Sequence, residues 1–108
     1  MNLGQHQQLF SRHVCFLLQK AFSLGYEVRF GEAQRTEDMQ AIYVKTGRSK
    51  TMNSMHLKKC AVDLHFTKDG VLCYPPELGN YWESLDQLNQ WGGNWKNFKD
   101  QPHFQRTV

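Results

Sequence analysis

Cys60-Ala61-Val62-Asp63-Leu64-His65-Phe66-Thr67-Lys68-Asp69-Gly70-Val71-Leu72-Cys73-Tyr74 alternates apolar and polar residues, pauses at an Asp-Gly pair and then turns apolar again. Side chains along a strand point to opposite faces with period two. Val62, Leu64 and Phe66 therefore share one face, and Asp63 and His65 share the other. An Asp-Gly pair between two such runs is a hairpin signal, because both central residues of the tight turn need φ > 0. The stretch predicts a strand over Cys60–Phe66 returning through Val71–Tyr74, with a carboxylate and an imidazole on the face away from the core.

Upstream of the hairpin, Phe10, Val14, Leu17, Leu18 and Ala21 fall on one helical stripe, and Gly25 stands where a helix would stop. A helix is expected from about Gln5 to Leu24, then a short strand over Tyr26–Phe30. Thr36 followed by Glu37 and Asp38 reads as a capped helix start, because acids in the first turn complement the helix dipole. That helix should end before Gly47, and polar, turn-like Arg48–Asn53 should form a loop leading into His56. Downstream, Pro75-Pro76 breaks the chain. Trp82, Leu85, Leu88 and Trp91 at helical spacing predict a helix over Asn80–Trp91, and a last extended segment holds His103 and Phe104. The sum is an α+β fold: a small antiparallel sheet with two or three packed helices. With no internal repeat or linker, residues 1–108 read as a single domain.

Composition narrows the function classes. An apolar content of 40% is enough for a packed core, and no apolar run reaches the roughly 18 residues of a membrane span. The opening MNLGQHQQLFSRH lacks the basic-then-apolar order of a secretory signal, so synthesis in a cytoplasm is expected. Cys15, Cys60 and Cys73 are odd in number and at no metal-finger spacing, which predicts free buried thiols. The net charge of +3 suits an anionic partner. Its basic residues are scattered and no nucleic-acid motif is present, so a nucleic-acid binder is the weakest class.

Two segments carry chemistry. Ser54–Phe66 holds His56, Asp63 and His65, and Trp91–Gln105 holds Asp100 three residues before His103. Two imidazoles and a carboxylate are a ligand set that zinc accepts in catalytic sites, and a spare carboxylate nearby is what metal-assisted hydrolysis needs. Local logic does not choose between His56 and His65 as the companion of Asp63. Taken alone, each histidine reads as a hydrogen-bonded structural residue, and Asp100-Gln101-Pro102-His103 as a turn. Arg35 sits at a strand-to-helix junction, where it either pairs with Glu32 or Glu37 or grips a developing oxyanion. Trp91, Trp95 and Phe98 read as core packing.

Gln34-Arg35-Thr36, Ser54-x-His56 followed by Ala61-x-Asp63, and Trp91-Gly92-Gly93-x-Trp95 through Asp100-x-Pro102-His103-Phe104 together resemble a known family. It is the group of zinc D-alanyl-D-alanine carboxypeptidases and L-alanyl-D-glutamate endopeptidases, whose fold is shared with the hedgehog signalling domain. The resemblance runs from about Tyr26 to Gln105. It implies a DD-peptidase-like fold, zinc as cofactor, and His56, Asp63 and His103 as metal ligands. By the same resemblance Asp100 is the general base, Arg35 steadies the oxyanion, and Ser54 orients substrate or a ligand; His65 is left a structural role.

Two positions depart from the family pattern. Lys59 stands where glycine is usual, and would be strained if that position needs φ > 0. Asp100 stands where the carboxypeptidase branch carries glutamate, a feature similar to short phage endolysins. The resemblance therefore implies a monomeric zinc endopeptidase that cuts the L-alanyl-D-glutamate bond of the peptidoglycan stem peptide, reaching the wall after release from the cytoplasm and without inserting in a membrane. A carboxypeptidase or dipeptidase on the same scaffold, and a zinc-stabilised wall-binding module without turnover, are the alternatives.

Overall fold

The hairpin forms as its sequence dictates. In the computed structural model, which describes residues 1–49 and 54–108, strand β2 runs Ala61–Lys68 and strand β3 runs Val71–Cys73. Asp69 (φ 53°) and Gly70 (φ 77°) supply the two left-handed residues of the turn between them. Val62, Leu64 and Phe66 are buried, whereas Asp63 and His65 on the opposite face remain partly accessible.

β2 is the hub of the sheet. Strand β1 (Glu27–Phe30) lies antiparallel along one edge, with Val28 opposite Phe66 and Arg29 opposite His65. Strand β5 (His103–Arg106) lies antiparallel along the other edge, with Val62 opposite Phe104 and Asp63 opposite His103. Strand β4 (Asn89–Trp91) completes the order β1-β2-β5-β4, with β3 also paired to β2.

The first and third helices pack against this sheet, and the second follows β1 in the chain. Helix α1 (Leu3–Ser23) starts two residues before the expected point, because Asn2 and Gln5 form a reciprocal capping box. Its buried stripe is Phe10, His13, Leu17 and Ala21, and Trp82 joins Phe10 and Phe104 edge-on beneath it. His13 accepts at Nδ1 from the Asn89 amide at 3.2 Å, and buried Arg106 donates to His6 Nδ1 at 3.1 Å and pairs with Asp86 at 3.0 Å. These polar contacts fix α1 across β4 and β5. Helix α2 (Glu37–Lys45) begins on the Thr36 cap as expected, the Thr36 hydroxyl accepting from the Met39 N–H at 3.1 Å.

Helix α3 corrects the sequence reading. It spans Pro76–Leu85, not Asn80–Trp91. Pro76 sits at the first helical position, where its missing N–H costs nothing. At the other end the Asp86 carboxylate accepts the Leu88 N–H at 2.9 Å, and Asp86 itself is extended. That side-chain turn competes with helix continuation, so Leu88 and Trp91 leave the helix and Trp91 enters β4 opposite Phe104.

The thiols also differ from expectation. None is paired, but only Cys60 is buried; Cys15 lies on the exposed side of α1 and Cys73 is half-covered. The expected Arg48–Asn53 loop falls largely outside the described residues. No helix among those described is long and apolar enough to cross a membrane.

A candidate metal centre on the open face of the sheet

Register brings the first two groups together. Asp63 and His103 are directly opposed on neighbouring strands and project to the same face, so their side chains must meet. The His103 Nδ1 lies 3.5 Å from Asp63 Oδ1.

His56 arrives from a single turn preceding β2. The Lys59 N–H donates to the His56 carbonyl and the Cys60 N–H to the Met55 carbonyl, which is a Schellman closure with Lys59 in the left-handed conformation (φ 56°). The position does adopt φ > 0, and lysine occupies it. Ser54 Oγ accepts the His56 N–H at 3.2 Å, and Met55, Cys60 and Ala61 pack as a small apolar base under the turn. His56 is thereby buried, with Nε2 3.3 Å from Asp63 Oδ1 and 3.2 Å from His103 Nδ1.

Outer partners set the tautomers. His56 Nδ1 lies 3.3 Å from the Ala33 carbonyl, and His103 Nε2 lies 2.7 Å from Gln105 Oε1. Both partners only accept, so each imidazole carries its proton on the outer nitrogen and turns a lone pair inward. Asp63 Oδ1 is buried and receives no hydrogen bond. Three acceptors thus face one another with no donor between them, an arrangement that a cation resolves. A tetrahedral zinc with bonds of 2.0–2.2 Å requires ligand atoms about 3.3–3.6 Å apart, and the three edges here are 3.2, 3.3 and 3.5 Å. His56, Asp63 and His103 can therefore hold a metal ion of that size.

Burial works to raise the Asp63 pKa, and only protonated His103 and His56 rings, donating to it in the absence of a cation, would hold its carboxyl below the usual carboxylate range. Asp100 behaves in the opposite way. Burial raises its pKa, with a further push from Asp63, although His103, His56 and Arg35 pull against it. Its Oδ2 stands 3.9 Å from His103 Nδ1, beside the triangle and outside it. Gly92 fixes that placement: its carbonyl accepts the Asp100 N–H at 3.0 Å, and a Cβ on it would stand 2.2 Å from the Asp100 carbonyl oxygen.

The triangle opens into a cavity of about 290 Å³ whose wall includes Arg35, Arg48, Ser54, Trp95, Phe98 and Asp100. Trp95 and Phe98, expected in the core, are wall residues; the Trp95 ring lies 5.1 Å from that of His103. Arg35 forms the expected pair with Glu32 and also lines the cavity. Its Nη1 also reaches Gln40 and, at 3.5 Å, Ser54 Oγ. His65 is elsewhere, bonded through Nδ1 to the Tyr74 hydroxyl at 2.8 Å. Gln105 was not singled out in the sequence, although it sits two residues from His103 on the same strand face, where period two would have flagged it.

An antiparallel sheet backed by helices, carrying a His-Asp-His triangle with an acid beside it at the foot of a cavity, defines a class of metal-site protein. Within that class the chain belongs to a peptidase family: residues 47–106 match the family model described as D-alanyl-D-alanine carboxypeptidase. The chain is similar to the L-alanyl-D-glutamate peptidase of Listeria phage A118, with 36% identity over 94 residues, which cover 82% of this chain and 34% of that protein. It thus spans about a third of that curated relative's length. The fold also matches the crystal structure of the Serratia marcescens L-Ala D-Glu endopeptidase ChiX, with a TM-score of 0.74 and 27% identity over 91% of this chain and 77% of that one.

Proposed function

We propose that this chain is a zinc-dependent peptidoglycan endopeptidase acting on the L-alanyl-D-glutamate bond of the stem peptide. The observation that carries the reading is the inward-facing triangle of His56 Nε2, Asp63 Oδ1 and His103 Nδ1 with Asp100 set next to it. The names of the two relatives point to the bond.

In this reading His56, Asp63 and His103 hold the ion. Zinc bound there would polarise the scissile carbonyl and bring the pKa of a water to about 7. Asp100, set beside the triangle, takes the proton of the attacking water and delivers it to the departing amine. Arg35, held in place by Glu32, Gln40 and Ser54, directs its guanidinium into the cavity to steady charge on the carbonyl oxygen. Ser54 positions the His56 turn by accepting the His56 N–H at Oγ, and it braces Arg35. The protein acts as a monomer on the cell wall, with no nucleic-acid partner.

The test is mass spectrometry of purified peptidoglycan digested with the zinc-loaded protein, with Asp100→Asn as control. New L-alanine carboxyl and D-glutamate amino ends, absent from the control, are expected. The family description favours a second reading, in which D-alanine is released instead. No cleavage by a protein that binds zinc stoichiometrically would overturn both and leave a wall-binding module.

A further inference from the structure

The cavity holds two guanidinium groups in different electrostatic situations. Arg35 is neutralised by Glu32, which also accepts from the Tyr43 hydroxyl at 2.8 Å. Arg48 has no carboxylate partner among the described residues. Its guanidinium lies over the Tyr43 ring, 4.6 Å from the centroid, on the cavity rim. Arg35 stands equally far from the same ring, so the tyrosine is shared by both cations.

The placement of Arg48 is built into the backbone. Gly47 (φ 79°) closes α2, its N–H bonded to the Val44 carbonyl and the Arg48 N–H to the Tyr43 carbonyl at 2.8 Å. That is a Schellman motif, which sets the residue after the glycine against the third residue from the helix end. Those two residues are Arg48 and Tyr43. A contact with the ring is not a hydrogen bond to an acceptor, so the guanidinium N–H groups keep the planar fork that suits a carboxylate. A stacked side chain also loses less rotamer freedom when it binds.

We propose that Arg48 reads a free carboxylate on the substrate residue that supplies the scissile amine. This rests on the function proposed above and deepens it. A glutamate whose nitrogen is the cleaved amine has two carboxyl groups, and only one of them continues the chain. The other stands free beside the scissile bond, and Arg48 is the unneutralised guanidinium on the wall of this cavity.

Two synthetic probes test the assignment: a L-Ala-D-Glu-L-Lys tripeptide continued through the glutamate side chain with its α-carboxylate free, and the same peptide as the α-carboxamide. The wild-type protein should prefer the carboxylate in kcat/KM by about tenfold, the worth of one hydrogen-bonded charge pair. Arg48→Ala should bring that ratio close to one, and Arg48→Lys should recover part of it. Because a ratio is read, general loss of activity in a variant cancels. An unchanged ratio in Arg48→Ala overturns the assignment. If the wild type cleaves neither probe, the proposed function fails separately. Calorimetric affinities of both probes then decide Arg48: a preference for the carboxylate that vanishes in Arg48→Ala supports it, and equal affinities in the wild type overturn it.

Discussion

Asp63 and His65 stand two residues apart on the same face of the same strand, yet they meet different surroundings. Asp63 lies opposite His103 on β5 and joins a triangle of acceptors. His65 lies opposite Arg29 on β1 and bonds to Tyr74. The residue types alone would allow either histidine of Ser54–Phe66 to be the partner of Asp63. Cross-strand register selects one, and the turn capped by Lys59 delivers His56 while leaving His65 on the far side. The triangle of acceptors is thus a property of pairing between segments about forty residues apart, not of spacing within one.

The sharpest way to break this comparison is to remove one histidine from each neighbourhood. His103→Ala should lose metal by more than about a hundredfold in affinity, since loss of an outer-shell partner alone typically costs 10–100-fold. Turnover should vanish with the metal. His65→Ala should keep stoichiometric zinc, measured by elemental analysis of dialysed protein. Loss of zinc from His65→Ala, with retention in His103→Ala, would reverse the assignment.

Asp100→Asn separates binding from chemistry. Zinc should remain, while kcat falls by about 10²–10⁴, the usual contribution of a positioned acid-base group. A variant that lost its zinc would place Asp100 among the ligands. Gln105→Ala is expected to have a smaller effect, because it removes only the acceptor that fixes the His103 tautomer. Zinc affinity should drop about 10–100-fold, read by chelator competition; an unchanged affinity would mean that His103 orients without it.

The smallest effect concerns the two Schellman caps that flank the cavity. Gly47 closes one at φ 79° and Lys59 the other at φ 56°, and only the glycine is free of Cβ strain there. Lys59→Gly should stabilise the fold by about 0.5–1 kcal/mol, the left-handed penalty less the entropy of an added glycine. A rise of a few degrees in Tm on thermal melting would show it. A fall in Tm would mean that the lysine side chain contributes more than its backbone costs.

Much of this was legible in the chain. The Asp-Gly hairpin, the amphipathic α1 and the Thr36 cap follow from local pattern, and the structure keeps all three. Helix α3 was misplaced because Trp82, Leu85, Leu88 and Trp91 keep helical spacing across a break that the Asp86 side chain makes. Trp95 and Phe98 line the cavity and not the core, a distinction that hydrophobicity alone does not make. The site itself needed three segments at once. Taken singly, Asp100-Gln101-Pro102-His103 is a turn, with the His103 N–H bonded to the Asp100 carbonyl at 3.1 Å. Arg48 escaped notice because its value depends on Glu32 being spent on Arg35 and Tyr43, a fact of three-dimensional pairing.

X-ray absorption at the zinc edge of the zinc-loaded protein tests the central claim most directly. Two imidazole nitrogens at about 2.0–2.1 Å with oxygen ligands completing a four-coordinate shell are expected, unchanged by His65→Ala. A third imidazole lost in His65→Ala, or a shell containing none, would contradict the His56–Asp63–His103 centre.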